Sequence, residues 1–134
     1  MPSQLSSFRQ LEKRLSQNIK ALYDEEINFS PQKITCKLFS RYLAVVSDEA
    51  LTPLEKSLWG FGKKNLSEEI RFEIDNIIKP KLIRVIESIV EVKVEAVLSN
   101  AAFTLNKCGI LIIFEEPPHV SNFSNLSKTL SSLP

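Results

Sequence analysis

Histidine is almost missing from this chain: His119 is the only one in 134 residues. It stands after Pro117-Pro118, where the text turns Ser-, Asn- and Leu-rich. A Ser-His-Asp or Cys-His catalytic site would have to use that residue, and a linker is a poor support for a rigid catalytic group. Cysteine is scarce too. Cys36 and Cys108 are far apart, with no Cys or His at metal-ligand spacing. They read as reduced, buried structural thiols, and no metal or cofactor is expected. Glycine occurs three times, so no Gly-rich dinucleotide fingerprint and no GxxG clamp for single-stranded nucleic acid is present. Gly60-Phe-Gly-Lys-Lys64 lacks the GxxxxGK spacing of a phosphate loop, and Asn65 stands where Ser or Thr is required. It reads as a bend carrying solvated Lys63 and Lys64.

A charge bias is missing as well. Lys and Arg number 17 against 16 Asp and Glu, a net charge of +1. A protein that neutralises phosphates carries a basic excess or stripe, so no nucleic-acid partner is expected. No stretch approaches the roughly 18 apolar residues of a membrane span, and the first residues lack the apolar centre of a signal peptide. A cytoplasmic protein with no span of its own is expected, reaching a membrane only through a protein partner. Acidic neighbours such as Asp48-Glu49 and Glu68-Glu69 do not face each other on a helix, and no general acid and base stand out. The chain reads as non-catalytic.

What is present is strong periodicity. Leu5, Phe8, Leu11, Leu15, Ile19 and Leu22 recur at spacings of three and four, predicting an amphipathic helix from about Gln4 to Glu25. Ile34, Cys36 and Leu38 alternate with polar residues, and Tyr42–Val46 follows after Ser40-Arg41, predicting a hairpin. From Thr52 the apolar period becomes helical again through Ile89. Gly60 and Gly62 weaken its first turns, so a short helix, a bend and a longer helix are expected, with a kink at Pro80. Val92–Leu98 reads as a strand with one wet face, and Gly109–Phe114 as a central strand covered on both sides. Ser99 to Lys107 reads as a long link with turn chemistry at Asn100, Asn106 and Gly109.

The order α-β-β-α(long, kinked)-β-β predicts a two-layer α+β domain over residues 4–116, with a four-stranded, mainly antiparallel sheet and the helices packed on one face. The apolar last strand hints that a second subunit covers part of the other face, so a homodimer is expected. Residues 117–134 read as a flexible tail; the alternative is a docking peptide using Phe123, Leu126, Leu130 and Leu133.

The most distinctive stretch is Leu51-Thr-Pro-Leu-Glu-Lys-Ser-Leu-Trp-Gly-Phe-Gly62. Thr52, Pro53 and Glu55 suit a capping box with proline at the first helical position. Trp59 and Phe61 are candidate core or interface residues. Together with Gly62, Glu69-Ile-Arg71 and the Ile89–Leu98 segment followed by Ser99, this stretch resembles the MpsC family, also called YbcI-like. The resemblance covers about residues 8–116. It implies a small bacterial protein tied to a sodium-dependent membrane-potential system, whose members take up inorganic carbon or cations through separate membrane subunits. This chain would then be a cytoplasmic accessory or regulator, with transport subunits or another protein as partner. Members often carry an acidic residue where Asn100 stands, so a charge-dependent role at that loop does not carry over. By position, Thr52, Glu55, Lys56 and Arg71 are the motif residues the resemblance implies. Glu55 and Arg71 would stabilise the long helix or join it to a neighbour. Alternatively, Lys56 and Arg71, with Lys63 and Lys64 nearby, would bind a partner, a small anion or a nucleotide.

Overall fold

The computed structural model describes residues 2–119, with side chains from residue 8 onward. The apolar positions Phe123, Leu126, Leu130 and Leu133 lie outside the described residues.

Helix α1 (Pro2–Ile27) buries the stripe of Leu11, Leu15, Ile19 and Leu22, with Tyr23 beside it. It stops at Asn28, which takes the left-handed conformation (φ 54°) that short polar side chains tolerate. The hairpin β1 (Lys33–Phe39) and β2 (Tyr42–Asp48) turns on Ser40-Arg41, with Ser40 at positive φ (54°). Ser40 fills a place that Asn or Gly takes more commonly, which is why the turn type is hard to read from sequence.

Helix α2 (Pro53–Gly60) and helix α3 (Lys64–Val90) are separated by Gly62 at φ 79°, so the expected short helix, bend and long helix are present. Helix α3 runs uninterrupted through Pro80. Pro80 and Asn76, whose carbonyl loses its helical donor, are both exposed, so water can take that hydrogen bond. Glu91 caps α3 in the left-handed region (φ 64°).

Strands β3 (Val94–Ala102) and β4 (Lys107–Phe114) complete the sheet. The expected long link from Ser99 is corrected here: Ser99, Asn100 and Ala101 pair with Ile110, Gly109 and Cys108. A neighbouring strand supplies hydrogen bonds that local propensity does not foretell. Only the single 3-10 turn Phe103–Leu105 and Asn106 (φ 52°) remain between the strands.

The sheet order is β1-β2-β4-β3, and every neighbouring pair is antiparallel. Alternation sends Ile34 and Cys36, Leu43 and Val45, and Ile110, Ile112 and Phe114 to the helix side. There they form one core with Leu15 and Ile19 of α1 and Ile78, Leu82 and Ile86 of α3. The opposite face carries Tyr42, Ala44, Val46, Leu98, Leu111 and Ile113, with Val46 44% and Leu98 58% exposed. A shallow apolar depression spans Ala44, Val46, Leu98, Gly109 and Leu111. The expectation that β4 is covered on both sides is therefore half met among the described residues. Its helix side is buried, while its outer side lies in an open apolar surface.

Candidate functional site

The polar centre of the molecule lies where α2 begins. Thr52 is the N-cap of α2: its Oγ1 accepts from Glu55 N–H and donates to Glu55 Oε1. The Thr52 N–H also donates to Glu55 Oε1, at 2.9 Å, completing the capping box. Glu55 is fully buried, at 0% exposure, and has a second duty. Arg71 on α3 donates from Nε to Glu55 Oε2 (2.8 Å) and from Nη2 to Glu55 Oε1 (2.7 Å). Its Nη2 also donates to Ala50 O at 3.0 Å, and Ser67 Oγ donates to Glu55 O at 2.9 Å. Asn106 adds a third attachment, its Oδ1 accepting from Leu51 N–H and its carbonyl from Ala50 N–H. One cluster thus ties the exit of β2, the start of α2, the first turns of α3 and the β3–β4 turn.

A buried ion pair persists only where geometry and added hydrogen bonds offset desolvation. Burial opposes the charge on Arg71, but its hydrogen bond and charge contact with Glu55, helped by Asp75, outweigh that and raise its pKa. Asp75 lies one helical turn on, with Oδ1 3.7 Å from Arg71 Nη1. Burial pushes its carboxyl above the ordinary value, and Arg71 only partly offsets this. Burial likewise pushes the Cys108 thiol up to about 11.

Arg71 also lines an open cleft of about 480 Å³ between α3 and the end of β3. The cleft is walled by Trp59, Phe72, Asp75, Ser99, Asn100 and Phe103, among others. Trp59 stacks on Phe103 at 4.5 Å and 11°, and Lys64 Nζ lies 5.0 Å from the Trp59 ring, a cation–π contact. Trp59 is thus half-buried and engaged, whereas Phe61 is 84% exposed. Lys56 and Lys63 are exposed and do not line this cleft. Of the four cationic candidates, only Lys64 and Arg71 come near it, Lys64 through the Trp59 ring.

Residues 7–116 match the profile of a family described as the Na+-translocating membrane potential-generating system (MpsC). The chain belongs to the MpsC family. No curated protein matches it, and no solved structure does. The MpsC match covers α2, α3 and all four strands, so the Glu55–Arg71 cluster lies wholly inside the family's span.

Sequence reasoning missed Ser67, Asp75, Phe103 and Asn106 as members of this MpsC site. A signal existed for two of them, because Ser67, Arg71 and Asp75 are spaced i, i+4 on one helix. Phe103 and Asn106 are brought in by the β3–β4 turn. No described helix is long and apolar enough to cross a membrane.

Proposed function

We propose that this chain is a non-catalytic accessory or regulatory protein of a membrane-potential or ion-uptake system, acting through protein contacts as a cytoplasmic homodimer. The observation that carries this reading is the open apolar outer face of the sheet, with Val46 and Leu98 exposed at its centre. Contiguous exposed apolar surface of this kind marks interaction sites. Membership of a family described by a sodium-translocating system, without a described spanning helix, supports a role beside separate membrane subunits. The non-catalytic part is supported by Glu55, whose two oxygens are both taken by Thr52 and Arg71. A carboxylate buried and paired this way serves the fold and is shut off from solvent and from any reacting group.

The test is affinity capture from the native cell with the wild-type chain and with Val46→Glu. A membrane transport subunit retained by the wild type and lost with the variant is the expected outcome. A captured set unchanged by Val46→Glu overturns the outer-face reading.

The cleft supports a second reading, a small-ligand sensor. Arg71 Nη1 is the one guanidinium nitrogen there with no hydrogen bond among the described residues. Glu55 already offsets the Arg71 charge, and Glu68 and Asp75 also line the cleft. That balance favours a ligand offering both donors and acceptors over a simple anion. Thermal-shift screening with carboxylates, nucleotides and neutral amides tests it; no stabilisation by any of them removes the reading.

A further inference from the structure

We propose that the free edge of β3 is the homodimer interface, where a second copy of this chain adds its own β3 in antiparallel register. The proposal rests on the homodimer reading above and names its surface.

The ladder decides which backbone groups are free. Phe114 N–H donates to Arg41 O at 2.8 Å, so Phe114, Ile112, Ile110 and Cys108 turn their backbone groups toward β2. Ile113, Leu111 and Gly109 therefore bond β3, through their partners Ala96, Leu98 and Asn100. The N–H and C=O groups of Val97, Ser99 and Ala101 point away from the sheet. The Ala101 N–H accordingly donates to the neighbouring Asn100 Oδ1 at 2.9 Å, not to the ladder.

The other edge of the sheet is protected. On β1 the outward groups belong to Ile34, Cys36 and Leu38, and the Leu38 N–H donates to Glu12 Oε2 of α1 at 2.7 Å. Lys33 and Lys37 are exposed on that strand, and edge lysines oppose pairing with another chain. Residues 96–102, Ala-Val-Leu-Ser-Asn-Ala-Ala, have no charge and no proline. Within residues 96–102, and among the described residues, the Asn100 side chain alone blunts this edge; the exposed Glu95 stands at the start of the strand.

An uncharged edge suits a second copy in particular. In a twofold antiparallel pair every contact occurs twice, so a charged edge would meet itself with like charges close together. Centred on Ser99, the register sets Val97 of one copy opposite Ala101 of the other, and no charges meet. A twofold axis normal to the sheet keeps both helix layers on one side and brings the two α3 helices alongside. The side of α3 nearest β3 carries Glu68, Phe72, Asp75 and Lys79, and Phe72 is 63% exposed. Antiparallel α3 helices would set the Glu68 end of one beside the Lys79 end of the other, opposite charges together. A second cleft of about 360 Å³, lined by Tyr23, Phe72, Asp75, Lys79, Leu98 and Ser99 among others, lies where the second copy would close it.

The experiment is sedimentation equilibrium of the full chain across the micromolar range, with Ser99→Pro, Ser99→Lys and Val46→Glu. Proline at Ser99 removes an outward N–H and leaves the ladder to β4 intact. Lysine there puts like charges at the twofold centre. The wild type is expected to be a dimer, and both Ser99 variants to weaken it by roughly thirtyfold or more. A wild-type monomer at all concentrations overturns both this proposal and the homodimer reading. A dimer that survives both Ser99 variants, or that only Val46→Glu breaks, overturns the β3 edge and leaves the homodimer standing. Should Ser99→Pro fail to fold, amide exchange of the wild type decides. Protection of Val97 and Ser99 that grows with protein concentration supports the edge, and fast exchange at every concentration overturns it.

Discussion

The two ends of the sheet are built on different physics. At the β1 end, α1 lies over the hairpin and the helix layer closes with Leu15, Ile19, Leu43 and Val45, none more than 1% exposed. Its stability comes from apolar area removed from water, which tolerates many sequences. At the β3 end, α3 meets the sheet sparsely, and clefts open where side chains are short. Order there comes from the Glu55–Arg71 cluster, which depends on particular atoms at particular distances. The closed end is insensitive to detail and sealed. The other end is specified in detail and leaves its clefts open.

The sharpest way to break this comparison is Arg71→Ala. It leaves Glu55 buried without its partner and should cost about 3–5 kcal/mol of stability in urea titration. Replacing both residues with methionine should recover much of that loss. An Arg71→Ala protein within about 1 kcal/mol of wild type would mean that the cluster is not what orders this end.

Leu15→Ala probes the closed end and should cost about 2–5 kcal/mol through lost burial and a cavity. Leu15 lies in the apolar core and Arg71 in the polar cluster, so the double variant should be close to additive. Strong coupling between them would show that the two ends are one unit.

Thr52→Ala removes the cap and should cost about 1 kcal/mol, whereas Thr52→Ser should be nearly silent. A much larger loss would mean that the Thr52 hydroxyl chiefly holds Glu55 in place for Arg71.

Asp75→Asn gives a smaller, pH-dependent effect. The folded state holds the Asp75 proton more tightly than the unfolded chain, because burial raises its carboxyl above 3.8. Its contribution to stability is full below the unfolded value and is lost as pH rises through the folded one. The variant should therefore gain on wild type in melting temperature as pH rises above the ordinary carboxylate range, and the curves should converge below it. A gap that does not change with pH would refute a burial-dominated Asp75.

The mildest probe is thiol chemistry. Cys108, pushed from 9.0 to about 11 by burial, should show roughly a hundredfold fewer thiolates than a free cysteine and resist alkylation until the protein unfolds.

Much of this molecule was readable along the chain. The 3–4 spacing of α1, the alternation in β1, the bend at Gly62 and the Thr52-Pro53-Glu55 cap are local patterns with local causes. The misreadings share a different cause. Ser99-Asn100-Ala101 looked like a loop because its strand state depends on β4. The part Ser67 and Asn106 play in the cluster was missed for the same reason: Ser67 reaches Glu55 O across the α2–α3 bend, and Asn106 reaches Leu51 N–H from the β3–β4 turn.

The amino-acid sequence by itself determined the periods and the Thr52 cap, which rest on residues a few positions apart, and, read along residues 7–116, the element order and the family to which the chain belongs. Only the tertiary structure decided that Glu55 and Arg71, sixteen positions apart, form one buried ion pair, and that among the described residues the β1 edge is guarded while the β3 edge is open. Those outcomes depend on which distant groups the fold brings within hydrogen-bond reach, and that distance is not encoded by spacing along a chain.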